Sequence, residues 1–259
     1  MTPDGEWHRA VTLGAQGCYV ESWSVLDARG RDDAPALTLR ASHLRQIGEA
    51  EQAMAGDRSA LRVAVDVEGR ADARIGIAAD FLCGGDPDAA YRELDAAEPD
   101  ALAAGWRTAT RLGWVRAECA LARGDAASAL LSADEAVRLS ARHSPRHHAK
   151  SRIIRAVALM SSEQTASGLA DLVAAAETLR AENLATLQWP AALIALDAFQ
   201  RDLVPLAEAG VVEALGHLVD EGRTATVLIG EHLPHELAAR WLLRPDVVRL
   251  AAGGESGHG

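Results

Sequence analysis

Small residues recur along this chain every 39 positions. Alanine or glycine fills Ala78, Ala117, Ala156 and Ala195, then Ala90, Ala129, Gly168 and Ala207, then Ala97, Ala136, Ala175 and Ala214. Two columns on the same spacing are apolar, Leu82, Leu121, Met160 and Phe199, and Leu94, Ala133, Leu172 and Val211. Within each unit the second and third small positions follow the first by 12 and 19 residues, so they sit on two successive helices and let those helices approach closely. Turn signals fall between the first and second small positions: Gly85-Asp86-Pro87, Gly124-Asp125, the polar run Ser161-Ser162-Glu163-Gln164, and Arg201-Asp202. Each unit is therefore predicted to be helix, turn, helix, loop.

The pattern weakens toward both ends. Ala10, Gly17, Tyr19, Ser22 and Leu26 suggest a first unit, and 34–67, with Gly48, Ala60 and Ala64, a fainter second one. Downstream of Ala214, the stretch GRTATVLIGEHLPHELAARWLLRPDVVRL reads as one or two helices covering the apolar end of a stack, and GGESGHG as a disordered tail.

The unit WVRAECALARGDAASALLSADEAVRL, with Ala117, Gly124, Ala129 and Ala136, resembles the tetratricopeptide repeat (TPR) family; Ala78, Gly85, Ala90 and Ala97 match nearly as well. The resemblance implies an all-α fold, an α-solenoid of about six stacked hairpins with C-terminal capping helices. Degenerate hairpins are expected over 1–70, period-39 repeats over 71–220, capping helices over 221–250 and the disordered tail over 251–259. The family's usual unit is about 34 residues, and the extra length is expected to lie in longer links between hairpins.

Charge changes the picture at one place. The chain of 259 residues is 49% apolar and carries a net charge of −11, which disfavours nucleic acid and anionic membranes as partners. The stretch RHSPRHHAKSRIIR, residues 142–155, holds the chain's only lysine, Lys150, and carries +5, leaving −16 on the rest. Cys18, Cys83 and Cys119 are odd in number and far apart, and nothing reads as a signal peptide or a membrane span. A reduced, cytoplasmic setting is expected. Arginine outnumbering lysine 25 to 1 suggests a GC-rich bacterial genome.

Candidate chemistry is sparse. Lys150-Ser151 has Ala149 and Ser144 where a phosphate loop needs glycines. His143, His147 and His148 could share a helix face, but Pro145 starts a helix between them and no carboxylate or cysteine is near in sequence, so solvated histidines are expected. In GEHLPHELAAR, His232 and His235 match no metalloprotease spacing, and Pro234 with Glu236 reads as the start of a capping helix. No enzyme activity, cofactor or metal is expected.

The resemblance places the first helix of each hairpin on a concave face. It implies groove positions at Asp72, Ile75, Ala79 and Leu82; Arg111, Trp114, Glu118 and Leu121; Lys150, Ile153, Val157 and Met160; and Trp189, Ala192, Leu196 and Phe199. Arg111, Trp114, Leu121, Arg146, Lys150, Ile153, Met160, Trp189 and Phe199 are the expected partner-binding residues. Large rings beside cations match the anchors of binding surfaces. The expected function is an adaptor holding a protein or peptide segment, acidic or phosphorylated. The rivals are a ligand-sensing module like those of bacterial transcriptional regulators, and an enzyme with an unrecognised groove site.

Overall fold

The computed structural model describes residues 3–30, 32–201 and 209–252, and every regular element among them is a helix. The order is α1 (Pro3–Ala15), α2 (Tyr19–Asp27), α3 (Ala34–Gln46), α4 (Ala50–Val63), α5 (Val67–Cys83), α6 (Pro87–Ala104), α7 (Trp106–Ala122), α8 (Ala126–Ser140), α9 (Pro145–Ser161), α10 (Thr165–Ala181), α11 (Ala185–Gln200), α12 (Ala209–Glu231), α13 (His235–Leu242) and α14 (Pro245–Ala252). Among the described residues, no helix is long and apolar enough to cross a membrane.

Local chemistry fixes the helix ends. The side chains of Asp33, Asp66, Asp86, Asp125 and Ser144 each accept a hydrogen bond from a first-turn backbone N–H, satisfying donors that the helix itself leaves open. Pro87 and Pro145 occupy first helical positions, where a missing N–H costs nothing. Gly85 and Gly124 take left-handed φ values of 78° and 75° in their turns. The corresponding position in the next pair is Glu163, which adopts φ 62° without a glycine's freedom.

The period of 39 is a period of helix starts. Val67, Trp106 and Pro145 open α5, α7 and α9, and Pro87, Ala126 and Thr165 open α6, α8 and α10. The expected long links are absent: a single residue, Gly105, joins α6 to α7, and three residues, 182–184, join α10 to α11. The extra length lies in the helices, since α5, α7, α9 and α10 each run 17 residues and α6 runs 18. One more turn per helix keeps the small residues in phase, whereas longer links would leave backbone polar groups to be satisfied elsewhere.

Consecutive helices pack as pairs, α1 with α2 through α11 with α12, and α3, α5, α7, α9 and α11 lie in a row. The small columns form the seams. Ala78, Ala117, Ala156 and Ala195, Ala90 and Ala129, and Ala97, Ala136 and Ala175 are all fully buried. A Cβ on Gly168 would lie 2.7 Å from the carbonyl oxygen of Ala156, so only glycine admits this approach of α10 to α9. Ala214 is half-buried, and Ala207 lies outside the described residues, as does most of the expected tail.

The two ends of the chain meet. α1 packs on α11, and Thr186 donates to the carbonyl of Ala15 over 3.1 Å. Arg240 pairs with Glu49 at 2.7 Å, and Arg244 donates to the carbonyl of Gln46 at 3.1 Å. One apolar core runs from Ala10, Tyr19 and Trp23 to Trp189, Leu215, Trp241 and Leu250. α13 and α14 thus fill a junction between the C-terminal pair and the N-terminal helices. Trp241 is fully buried there, its indole N–H donating to the carbonyl of Thr226 at 2.9 Å.

Candidate partner-binding site

The basic stretch enters α9. Ser144 caps the helix, accepting from the backbone N–H of His147. His143 is exposed, as expected from sequence, whereas His147 is drawn in among rings. His143 stacks on Trp106 with centroids 4.7 Å apart, and His147 meets the edge of Trp106 at 5.2 Å and stacks on Trp114 at 5.3 Å. Burial, reinforced by Arg146, Arg111 and other nearby cations, pulls the His147 imidazole down to about 3, so it is neutral at neutral pH. The sequence reading missed this because Trp106 and Trp114 belong to the preceding pair and arrive only through packing.

The same stack holds the lysine. Lys150 places its ammonium 4.4 Å above the Trp114 ring, a cation–π contact. The Trp114 indole donates to Ser151 Oγ at 2.8 Å, and Ser151 donates to the carbonyl of His147 at 2.9 Å. Trp114 is only 7% exposed, so it serves as the wall on which Lys150 rests.

Around this stack the row of α3, α5, α7 and α9 brings cations together, and most are matched. Arg111 pairs with Asp72 at 2.5 Å; Arg107 bonds both Asp72 and Glu68. Arg45 holds Asp80 at 2.5 Å and also binds Asp57, whose burial pushes its carboxyl up to about 8 against the pull of Arg45. Two buried carboxylates sharing one guanidinium favour retention of a proton.

Arg146 and Lys150 are different, because neither forms an ion pair among the described residues. Burial lowers the Arg146 guanidinium from its usual range and Arg111 adds to this, while the Tyr19 hydroxyl opposes it. Burial likewise lowers Lys150; Glu118 opposes that, whereas Arg111, Arg146 and Arg45 add to it. Both side chains are half-buried, reached by water at the surface and flanked by protein. Glu118 acts on Lys150 from α7 without closing an ion pair with it, and no carboxylate among the described residues pairs with Arg146.

Along α9, Arg146, Lys150, Val157 and Ser161 follow helical spacing on one face. That face ends in a cleft of about 280 Å³ lined by Val157, Met160, Leu193, Ile194, Arg201 and Arg249. Ten residues separate Lys150 from Met160, roughly 15 Å along the helix. The structure therefore brings Arg111, Trp114, Arg146 and Lys150 into one cluster and puts Met160 in a second zone on the same helix, where Val157, Leu193 and Ile194 stand beside Asp197, Arg201 and Arg249.

The remaining expected residues lie elsewhere. Ile153 and Trp189 are 7% and 8% exposed and belong to the core; Trp189 meets Trp241 edge-on at 5.3 Å, with Arg244 at 5.6 Å. Leu121 and Phe199 are half-buried and pack against core clusters at the far ends of α7 and α11. Sequence reasoning read Tyr19 only as a position of a first unit and gave no sign of Arg45; both reach the cluster, from α2 and α3. Cys18, Cys83 and Cys119 are all free thiols. No protein-family model matches this chain, and no curated protein matches it.

Proposed function

We propose that this chain is a TPR-like adaptor that holds an acidic segment of a partner protein on the α9 face. One observation carries the reading: Arg146 and Lys150 are half-buried and short of counter-charge, although the molecule as a whole carries −11. An unpaired, partly desolvated cation is costly to a folded protein, and a carboxylate or phosphate from a partner offsets that cost. The acidic remainder of the molecule repels nucleic acid and anionic lipid at long range, so the attraction works over about a Debye length of 8–10 Å.

The second zone gives the segment its length. About 15 Å from Lys150 to Met160 matches four or five residues of extended chain. The ligand is accordingly a short peptide with an acidic group at one end and an apolar side chain about four residues away, seated against Met160, Leu193 and Ile194. Dye-labelled peptides of this design, titrated with the protein and followed by fluorescence anisotropy, test the reading. Binding that weakens with salt and requires both the acid and the apolar residue supports it. Equal binding of a peptide with the acid amidated removes it. Tight binding of inorganic phosphate or a small dicarboxylate, with no gain from the peptide, replaces it with a small-anion sensor.

A further inference from the structure

The junction between the two chain ends carries a second cluster, independent of the basic site. Gly17, at φ 87°, turns the chain from α1 into α2, and a Cβ there would lie 2.7 Å from Ile229 Cγ1, so the turn is pressed against the end of α12. The next residue, Cys18, precedes α2 at the capping position and makes no side-chain capping bond, which leaves its thiol available. Glu21 follows three residues later on the same side of the first turn. His232 comes immediately after α12, and its Nδ1 lies 2.9 Å from Glu21 Oε1 across a sequence gap of 211 residues. The Cys18 thiol, the Glu21 carboxylate and the His232 imidazole all lie within 4.8 Å of one another.

We propose that Cys18, Glu21 and His232 form a three-ligand site for a divalent transition ion of the zinc class, clasping the N-terminal pair of helices to the C-terminal one. One sulfur, one nitrogen and one oxygen donor suit zinc, whereas magnesium and calcium demand oxygens. Bond lengths of about 2.0–2.3 Å place tetrahedral ligands roughly 3.5 Å apart, so closing the site needs side-chain shifts of about an ångström. The Glu21 and His232 side chains are 47% and 32% exposed, which leaves a water-facing side for the fourth ligand. Thiolate and carboxylate together neutralise the ion.

Cobalt(II) is the direct probe, because a thiolate ligand gives a charge-transfer band and a tetrahedral site gives intense visible bands. The full-length protein, reduced and metal-free, should show both on addition of one equivalent of Co²⁺, and one equivalent of Zn²⁺ should bleach them. Cys18→Ser, a near-isosteric change, should abolish the charge-transfer band and weaken zinc binding about 100-fold or more, and His232→Gln should weaken it similarly. Cys83→Ser, at an exposed thiol in α5, should change neither. Zinc should also raise the melting temperature of the wild type and leave that of Cys18→Ser unchanged, a comparison internal to each variant. Absence of the charge-transfer band in the wild type overturns the proposal. So does a band that survives Cys18→Ser, or zinc affinity that His232→Gln leaves intact.

Discussion

The middle of the molecule and the junction of its ends are built in different ways. From α5 to α10 every helix packs on its neighbour through alanines placed at one spacing, and the connections are three residues or fewer except before α9. The junction of α1–α4 with α11–α14 is made of single, unrepeated devices: a glycine turn against Ile229, the guanidinium of Arg244 between Gln46 and two indoles, and a histidine bonded to Glu21. The middle owes its order to contacts local in sequence, whereas the junction exists only once nearly the whole chain has folded. Stability in the first should therefore respond to packing volume, and in the second to individual polar groups.

The contrast is most easily broken at Gly168. Leucine there must displace the backbone of Ala156, and the expected cost lies near the top of the 1–3 kcal/mol range for overpacking, read from chemical denaturation. Ala129→Leu, at a fully buried seam of the preceding pair, should follow closely. Unchanged stability in both would mean the seams are not close-packed.

The junction should instead be sensitive to acid. His43 is 1% exposed, 4.8 Å from the Tyr19 ring, and burial pulls it down to about 3, below its unfolded value. Its neutral form is favoured by folding, so its contribution is intact above about 6.5 and is lost as pH falls toward 3. Between pH 7.5 and 5 this one histidine should remove about 2 kcal/mol. Asp57 acts in the opposite sense: its raised carboxyl favours folding while protonated, and that contribution fades as pH rises through about 8. A His43→Gln variant with the same pH dependence as the wild type would sink the assignment.

Arg244→Ala probes the junction's polar side. It removes the pair with Asp246 and the bond to Gln46, and should cost about 1–2 kcal/mol. Hydrogen exchange should quicken in α1–α3 and α11–α14 while α5–α8 stay protected; uniform loosening would show that the two regions are one cooperative unit. The smallest effect is a gain. Glu163→Gly relieves the left-handed φ of 62° and should add up to about 1 kcal/mol.

The legibility of the sequence follows the same division. The hairpin turns, the buried alanines and the start of α9 at Pro145 were all readable, because period, capping and turn chemistry are local. The meeting of Thr186 with Ala15, or of His232 with Glu21, leaves no local signal. Within the candidate site, Lys150 and Arg111 were legible as cations on the first helices of their units. The difference between them was not, because Arg111 finds Asp72 from a neighbouring pair and Lys150 finds an indole face. The resemblance placed Trp114 and Trp189 on the groove face as anchors, and packing against Ser151 and Trp241 hides them instead.

Arg146 and Lys150, on the proposed function, receive a partner's acid. The double variant Arg146→Gln, Lys150→Gln separates binding from folding when peptide affinity and thermal stability are measured on the same samples. The double variant should lose at least about tenfold in affinity for the acidic peptide, with a melting temperature equal to or above that of the wild type, since two partly buried charges without an ion pair have been removed. Unchanged affinity, or a fall in stability comparable to that of Gly168→Leu, would contradict it and make the two cations part of the scaffold.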